Sequence, residues 1–266
     1  MSLQDIRNNS QEAALRITPI IAKATRAKDV AIKVRPPLQH QSNRLFDVWA
    51  DGRHLIVKEY LKPDEFHDAP LREFGALERL VPLDIAPLPV HYRPFKAAPL
   101  GPLVMYEFMA GEMWDHNCPT AAELGQLAAA WQQVHRVSTT GLWLSRGQER
   151  TLADVEGQIR TALEGYAAWI ETEFLPGRAA ARQCLALLDQ CHTVCKTLAQ
   201  IEPVLCFCWP DARFANIIRR PNGTLGLIDW EDSGLRDPAI DVVCLLTHPN
   251  QENLLTAETW QPFLVP

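Results

Sequence analysis

The stretch Cys208–Asp232, CWPDARFANIIRRPNGTLGLIDWED, constrains this chain more than any other. It sets Asp211, Asn216 and Asp229 among Phe214, Ile217, Ile218, Leu227 and Ile228. The apolar residues fall where two short buried strands are expected, joined by a tight turn at Pro221-Asn222-Gly223. A carboxylate buried with them is costly unless a partner compensates it. A divalent cation is one such partner, because hard cations take carboxylate and amide oxygens.

The first part of the chain reads as strands with one packed helix. RLFDVWADGRHLIVKEYL alternates apolar and polar residues on both sides of Asp51-Gly52, a strong hairpin signal. Strands are expected at 44–50, with Leu45, Asp47 and Trp49 on one face and Phe46, Val48 and Ala50 on the other, and at 53–60. Lys58 lies in the second strand, after Leu55-Ile56-Val57. In LREFGALERLV, Leu71, Phe74, Leu77 and Leu80 recur at helical spacing, with Glu73 on a neighbouring face. Taken singly, Lys58 and Glu73 are ordinary surface residues. Pro82, Pro87 and Pro89 end this helix and interrupt the segment after it, and PLVMYEFM is β-like up to Phe108. An earlier helix is expected over 9–28, with Asn9 and Glu12 as a cap pair and Pro19 interrupting its middle.

From Thr120 the character becomes helical. Thr120-Ala-Ala-Glu123 is a capping box, followed by the stripe Leu124, Leu127, Ala128, Trp131, Val134 and His135. Helical patterns come next at 151–173 and 178–199, separated by Pro176-Gly177, and a last helix starts near Asp237-Pro238. Asp237 and Asp241 read as structural residues of that helix. The architecture is α+β, with a β-rich lobe over 1–109 that includes the first helix, and a mainly helical lobe over 110–266. Cys184, Cys191 and Cys195, with His192 nearby, read as core packing, as do Cys206, Cys208 and His135. Trp131, Trp143 and Trp169 are either helix packing or a cation–π surface.

Several function classes recede on composition. The net charge is −6 and no Lys/Arg run forms a nucleic-acid patch. No apolar run has the length of a membrane span, and MSLQDIRNNSQE does not resemble a secretory signal. Seven cysteines without paired spacing imply a reduced, cytoplasmic chain.

The motifs IVKEYL, LREFGALERL, LVMYEFMAGE, DARFANII and LIDWEDSGLRDPAIDVV together resemble the aminoglycoside phosphotransferase family of small-molecule kinases. The resemblance runs over roughly 40–245 and implies a two-lobed, protein-kinase-like fold. It implies an ATP-dependent transfer of phosphate to a hydroxyl of a small molecule, with GTP as another possible donor. Asp211 is then the catalytic base, Asn216 and Asp229 the Mg²⁺ ligands, and Lys58 and Glu73 the pair that grips the nucleotide phosphates. Ser42 and Asn43 fall in the nucleotide-covering hairpin, and Glu107 and Met109 in the segment that binds adenine through its backbone. Two departures stand out: Trp209-Pro210 replaces the family's His-Gly, and HQSNRLF, His40–Phe46, has no glycine where backbone amides approach phosphate. The chain also stops soon after the Asp237–Cys244 segment, as a short form of the family would. A nucleotide-binding pseudoenzyme with a regulatory or scaffold role is the alternative reading.

Overall fold

The computed structural model describes residues 3–36, 43–61, 68–94, 100–114, 119–141, 152–198, 200, 204–248 and 251. Its first half is built on a five-stranded antiparallel sheet of order β1-β2-β3-β5-β4. The strands are β1 (Val30–Val34), β2 (Asn43–Ala50), β3 (Arg53–Tyr60), β4 (Pro89–Arg93) and β5 (Leu103–Glu107). The β2–β3 turn is the expected one, with Asp51 and Gly52 both at positive φ, the pair of left-handed residues that such hairpins need. Strands β1 and β4 carry little sequence signal: β1 is short, and β4 starts on Pro89. That proline is tolerated because β4 is an edge strand and Pro89 its first residue.

Helix α1 spans Leu3–Thr25 and helix α2 Ala69–Leu80. Because α1 starts at Leu3, Asn9 and Glu12 lie inside it and cannot be its cap, and Pro19 is carried within the helix rather than ending it. Alternation along β2 and β3 gives the sheet two buried faces. Phe46, Val48, Leu55 and Val57 pack with Ile17 and Ile21 of α1. Ile56, Val104 and Tyr106 pack on the other face with Ala76, Leu77 and Leu80 of α2. Lys58 is on this second face, since side chains two apart on a strand share a side.

That second core continues into the helical half. Helix α3 (Ala121–Val134) contributes Leu124, Leu127, Trp131 and Val134. Its N-terminus carries the expected capping box: Glu123 N–H donates to Thr120 Oγ1 at 3.3 Å, and Thr120 N–H to Glu123 Oε2 at 2.7 Å. Helices α4 (Leu152–Glu173) and α5 (Arg178–Leu198) come next, and α6 (Ala239–Thr247) lies near the end. Short strands β6 (Glu112–Met113), β8 (Ile217–Arg219) and β9 (Leu225–Leu227) form one small sheet, and β7 (Cys206–Cys208) pairs with β10 (Gly234–Arg236). The tight turn at 221–223 joins β8 to β9, with Gly223 at positive φ. Cys184 and Cys191 are exposed on α5, so they do not pack in a core; α4 and α5 turn toward each other and leave Ile159, Trp169, Leu187 and Val194 outside. Among the described residues, no helix is long and apolar enough to cross a membrane.

Candidate active site

Helix α2 presents a polar pair inward. Its buried side is Ala69, Arg72, Glu73, Ala76, Leu77 and Leu80, a stripe rotated from the one that the leucine spacing alone suggested. Glu73 is 1% exposed. It is held by the Tyr60 hydroxyl, which donates to Glu73 Oε2, and by Lys58 Nζ at 3.0 Å. Lys58 is itself buried and reaches further, to Asp229 Oδ1 at 2.6 Å and Glu231 Oε2 at 3.0 Å. One ammonium therefore joins β3, α2 and the segment after β9.

That segment is shaped for the task. Asp229 has φ 64°, a left-handed conformation that Asp adopts more readily than most residues. Its carbonyl accepts from the Trp209 indole Nε1–H at 3.0 Å, so Trp209 fixes the backbone of the site. Glu231 is tied on two sides, its carboxylate by Asn43 Nδ2 at 2.8 Å and its carbonyl by Arg72 Nε at 2.9 Å. Asn43 thus joins the cluster through Glu231. Ser42 lies outside the described residues.

Residues 211–216 form a second set beside the first. Asn216 Nδ2 donates to Asp211 Oδ2 at 2.8 Å and to Asp211 O at 3.0 Å, which leaves its Oδ1 as the donor oxygen for a cation. Arg213 bridges the two sets, with Nη2 at 2.6 Å from Asp211 Oδ2 and 3.5 Å from Asp229 Oδ2. The loop is anchored below by Gln251, whose Oε1 accepts from Phe214 N–H at 2.8 Å.

Glu107 and Met109 do not join this cluster. The Glu107 carboxylate turns to Arg53 at 2.8 Å. Both residues line a cavity of about 320 Å³ with Phe108 and Ala110 between and beside them and with Asp84, residues 86–88 and residues 220–222 as its other walls. None of the carboxylates around Lys58 lines that cavity. Met109 also packs flat over Gly226 of β9, where a side chain on the glycine would collide with its sulfur.

Burial and charge set the titration of these groups. Burial alone would lower Lys58, but Asp229 and then Glu73 overrule it and hold the ammonium well above its usual range. Burial pushes Glu73 up to about 7 against the pull of Lys58. Burial also raises Asp211, helped by the charge of Asp229 and opposed by Arg213. Asp229 is held low by Lys58 despite its burial. Four carboxylates (Glu73, Asp211, Asp229, Glu231) thus face two cations (Lys58, Arg213), leaving an excess of negative charge. All the donors are oxygens, the chemistry that Mg²⁺ prefers.

The sequence alone reads Glu231 as an outlying group or a solvated turn residue and gives Arg213 no role. The signal for both is their position: Glu231 two residues beyond Asp229, and Arg213 two beyond Asp211.

The fold has well-known relatives. It superposes on choline kinase LicA from Streptococcus pneumoniae with TM-score 0.60 and 21% identity, over 95% of this chain and 79% of that one. The aminoglycoside phosphotransferase APH(3'')-Id from Streptomyces rimosus gives 0.59 and 18%, over 94% and 92%. Spectinomycin phosphotransferase APH(9)-Ia, in complex with ADP and spectinomycin, gives 0.59 and 14%, over 90% and 76%. No curated protein sequence matches the chain. Residues 33–261 match the phosphotransferase enzyme family, and with most of its length and its kinase-like fold accounted for, the chain belongs to that family.

Proposed function

We propose that this protein transfers the γ-phosphoryl group of ATP to a hydroxyl group of a small molecule. The observation that carries this is the juxtaposition of two sets, Lys58–Glu73–Asp229–Glu231 and Asp211–Asn216–Arg213, joined where Arg213 lies between Asp211 and Asp229. Phosphoryl transfer needs positioning and charge stabilisation more than covalent chemistry. In this reading Lys58 grips the nucleotide phosphates and Glu73 holds Lys58 in place. Asn216, Asp229 and Glu231 would hold Mg²⁺, which when bound neutralises charge on the phosphates. Asp211 accepts the proton of the attacking hydroxyl, and its raised affinity for protons suits a base. Arg213 covers that carboxylate and must swing toward the incoming phosphoryl group before a hydroxyl can reach it.

The relatives act on different acceptors, to judge by their names: choline for one, spectinomycin for another. The acceptor here is a small hydroxyl compound. Magnesium-dependent ATP turnover over a panel of aminoglycosides, amino alcohols and sugars tests the assignment, with GTP as a second donor. No turnover with any member, alongside intact nucleotide binding, would favour the nucleotide-binding pseudoenzyme. The feature on that side is Arg213, which occupies Asp211 at 2.6 Å.

A further inference from the structure

Below the catalytic loop lies a cluster that phosphoryl transfer does not use. Cys206 and Cys208 sit two apart on β7 and so point to one side of the strand. Their sulfurs are 3.6 Å apart, both as free thiols. His135, following α3, brings an imidazole nitrogen to the same spot, so that three ligand atoms lie within 4.8 Å of one another. Asp241 of α6 engages the ring through Nε2, with Oδ2 at 2.9 Å, which leaves Nδ1 as the nitrogen for a cation.

We propose that His135, Cys206 and Cys208 form a zinc site in which a water completes the tetrahedron, with Asp241 orienting the imidazole. Tetrahedral coordination with Zn–S bonds of about 2.3 Å separates two sulfurs by about 3.8 Å. The observed 3.6 Å needs almost no adjustment. Two thiolates and an imidazole suit a borderline-soft d¹⁰ cation, and not the Mg²⁺ of the phosphate site. A carboxylate on the far side of a ligating histidine is the arrangement that fixes ring orientation at zinc. The two cysteines are buried and His135 is partly exposed, which gives the ion a route in and otherwise a closed environment. Binding releases both thiol protons to solvent, since zinc takes thiolates. Cys208 is the harder to deprotonate: the Cys206 sulfur and burial push it up, and its thiol now donates to the carbonyls of Arg236 and Asp237.

Such a site would tie α3, β7 and α6 together directly under the chemistry. Asp241 Oδ1 accepts from Trp209 N–H at 2.8 Å, two residues before Asp211. Zinc would therefore clamp the start of the catalytic loop rather than take part in transfer.

The test is metal content and Co²⁺ spectroscopy on the full chain. Wild type purified without chelator should carry about one Zn²⁺, as one three-ligand site per chain requires. Exchange with Co²⁺ should give a thiolate-to-cobalt charge-transfer band. Cys206→Ser and His135→Gln should each lose the ion. Asp241→Asn keeps an oxygen for Trp209 and should weaken zinc about 10–100-fold. Asp229→Ala, in the phosphate site, should retain zinc fully. Should Cys206→Ser fail to fold, protection of two thiols from alkylation by added Zn²⁺ in wild type gives the same answer. The proposal is overturned by a cobalt complex without a thiolate band, by zinc that survives both ligand substitutions, or by a mass showing Cys206 and Cys208 joined as a disulfide in the active protein.

Discussion

Lys58 Nζ lies 2.6 Å from Asp229 Oδ1, a contact across 171 positions of sequence that closes the sheet onto the helical half of the molecule. The same ammonium holds Glu73 and Glu231 at 3.0 Å each. Much of the behaviour expected of this protein stems from that single cation among three carboxylates.

Lys58→Met should be damaging twice over. It leaves three carboxylates without their common partner, one of them wholly buried, and breaking a buried pair typically costs about 3–5 kcal/mol. Partial exposure of Asp229 and Glu231 puts the expected loss at the lower end, about 3 kcal/mol. Urea denaturation measures it, and nucleotide titration should show binding lost as well. A variant as stable as wild type would mean that the carboxylates are compensated by something other than Lys58.

Glu73 gives a pH signature. Its carboxyl titrates near 7 when folded against 4.5 as a free side chain, so the folded state binds the extra proton across that window. This contribution to stability is present below pH 4.5 and is lost as pH rises toward 7, by an amount on the order of 3 kcal/mol. Glu73→Gln should flatten that slope and make the nucleotide-free protein more stable at pH 8, while lowering turnover. Denaturation of both proteins at pH 5 and pH 8 decides it; parallel slopes would remove Glu73 as the source.

Asp211→Asn should depress turnover by about 10²–10⁴-fold, the usual cost of losing a positioned base. Nucleotide affinity should stay within a few-fold, because Lys58, Asp229 and Glu231 remain. Measuring both on one preparation separates the outcomes. Lost nucleotide affinity would make Asp211 a structural residue, and unchanged turnover would deny it the role of base.

Arg213→Ala probes the cation on the base proposed at Asp211. Arg213 opposes the upward shift of Asp211, so its removal should raise the Asp211 carboxyl further. The acid limb of the kcat/KM profile should then move to higher pH, with turnover reduced by loss of a phosphate-side charge. An unmoved acid limb would show that Asp211 is not the group titrating there.

Local chemistry was legible in the chain itself. The Asp51-Gly52 turn, the Thr120/Glu123 capping box and the Pro176-Gly177 break each depend on residues a few positions apart, so their outcome was readable from spacing. The alternation that puts Phe46 and Val48 opposite Leu45 and Asp47 is equally local, and the hairpin positions hold in the fold. The inward side of α2 was not readable, because Glu73 and Arg72 are polar and their burial depends on Lys58 and on the Glu231 carbonyl, far away in sequence. Arg213 on Asp211 and Glu231 on Lys58 escaped for a related reason: an ion pair leaves no periodicity, and only folding decides which charges meet. The same holds for His135, Cys206, Cys208 and Asp241. Each alone is an ordinary core residue, and only the packing of α3 and α6 against β7 turns them into one cluster.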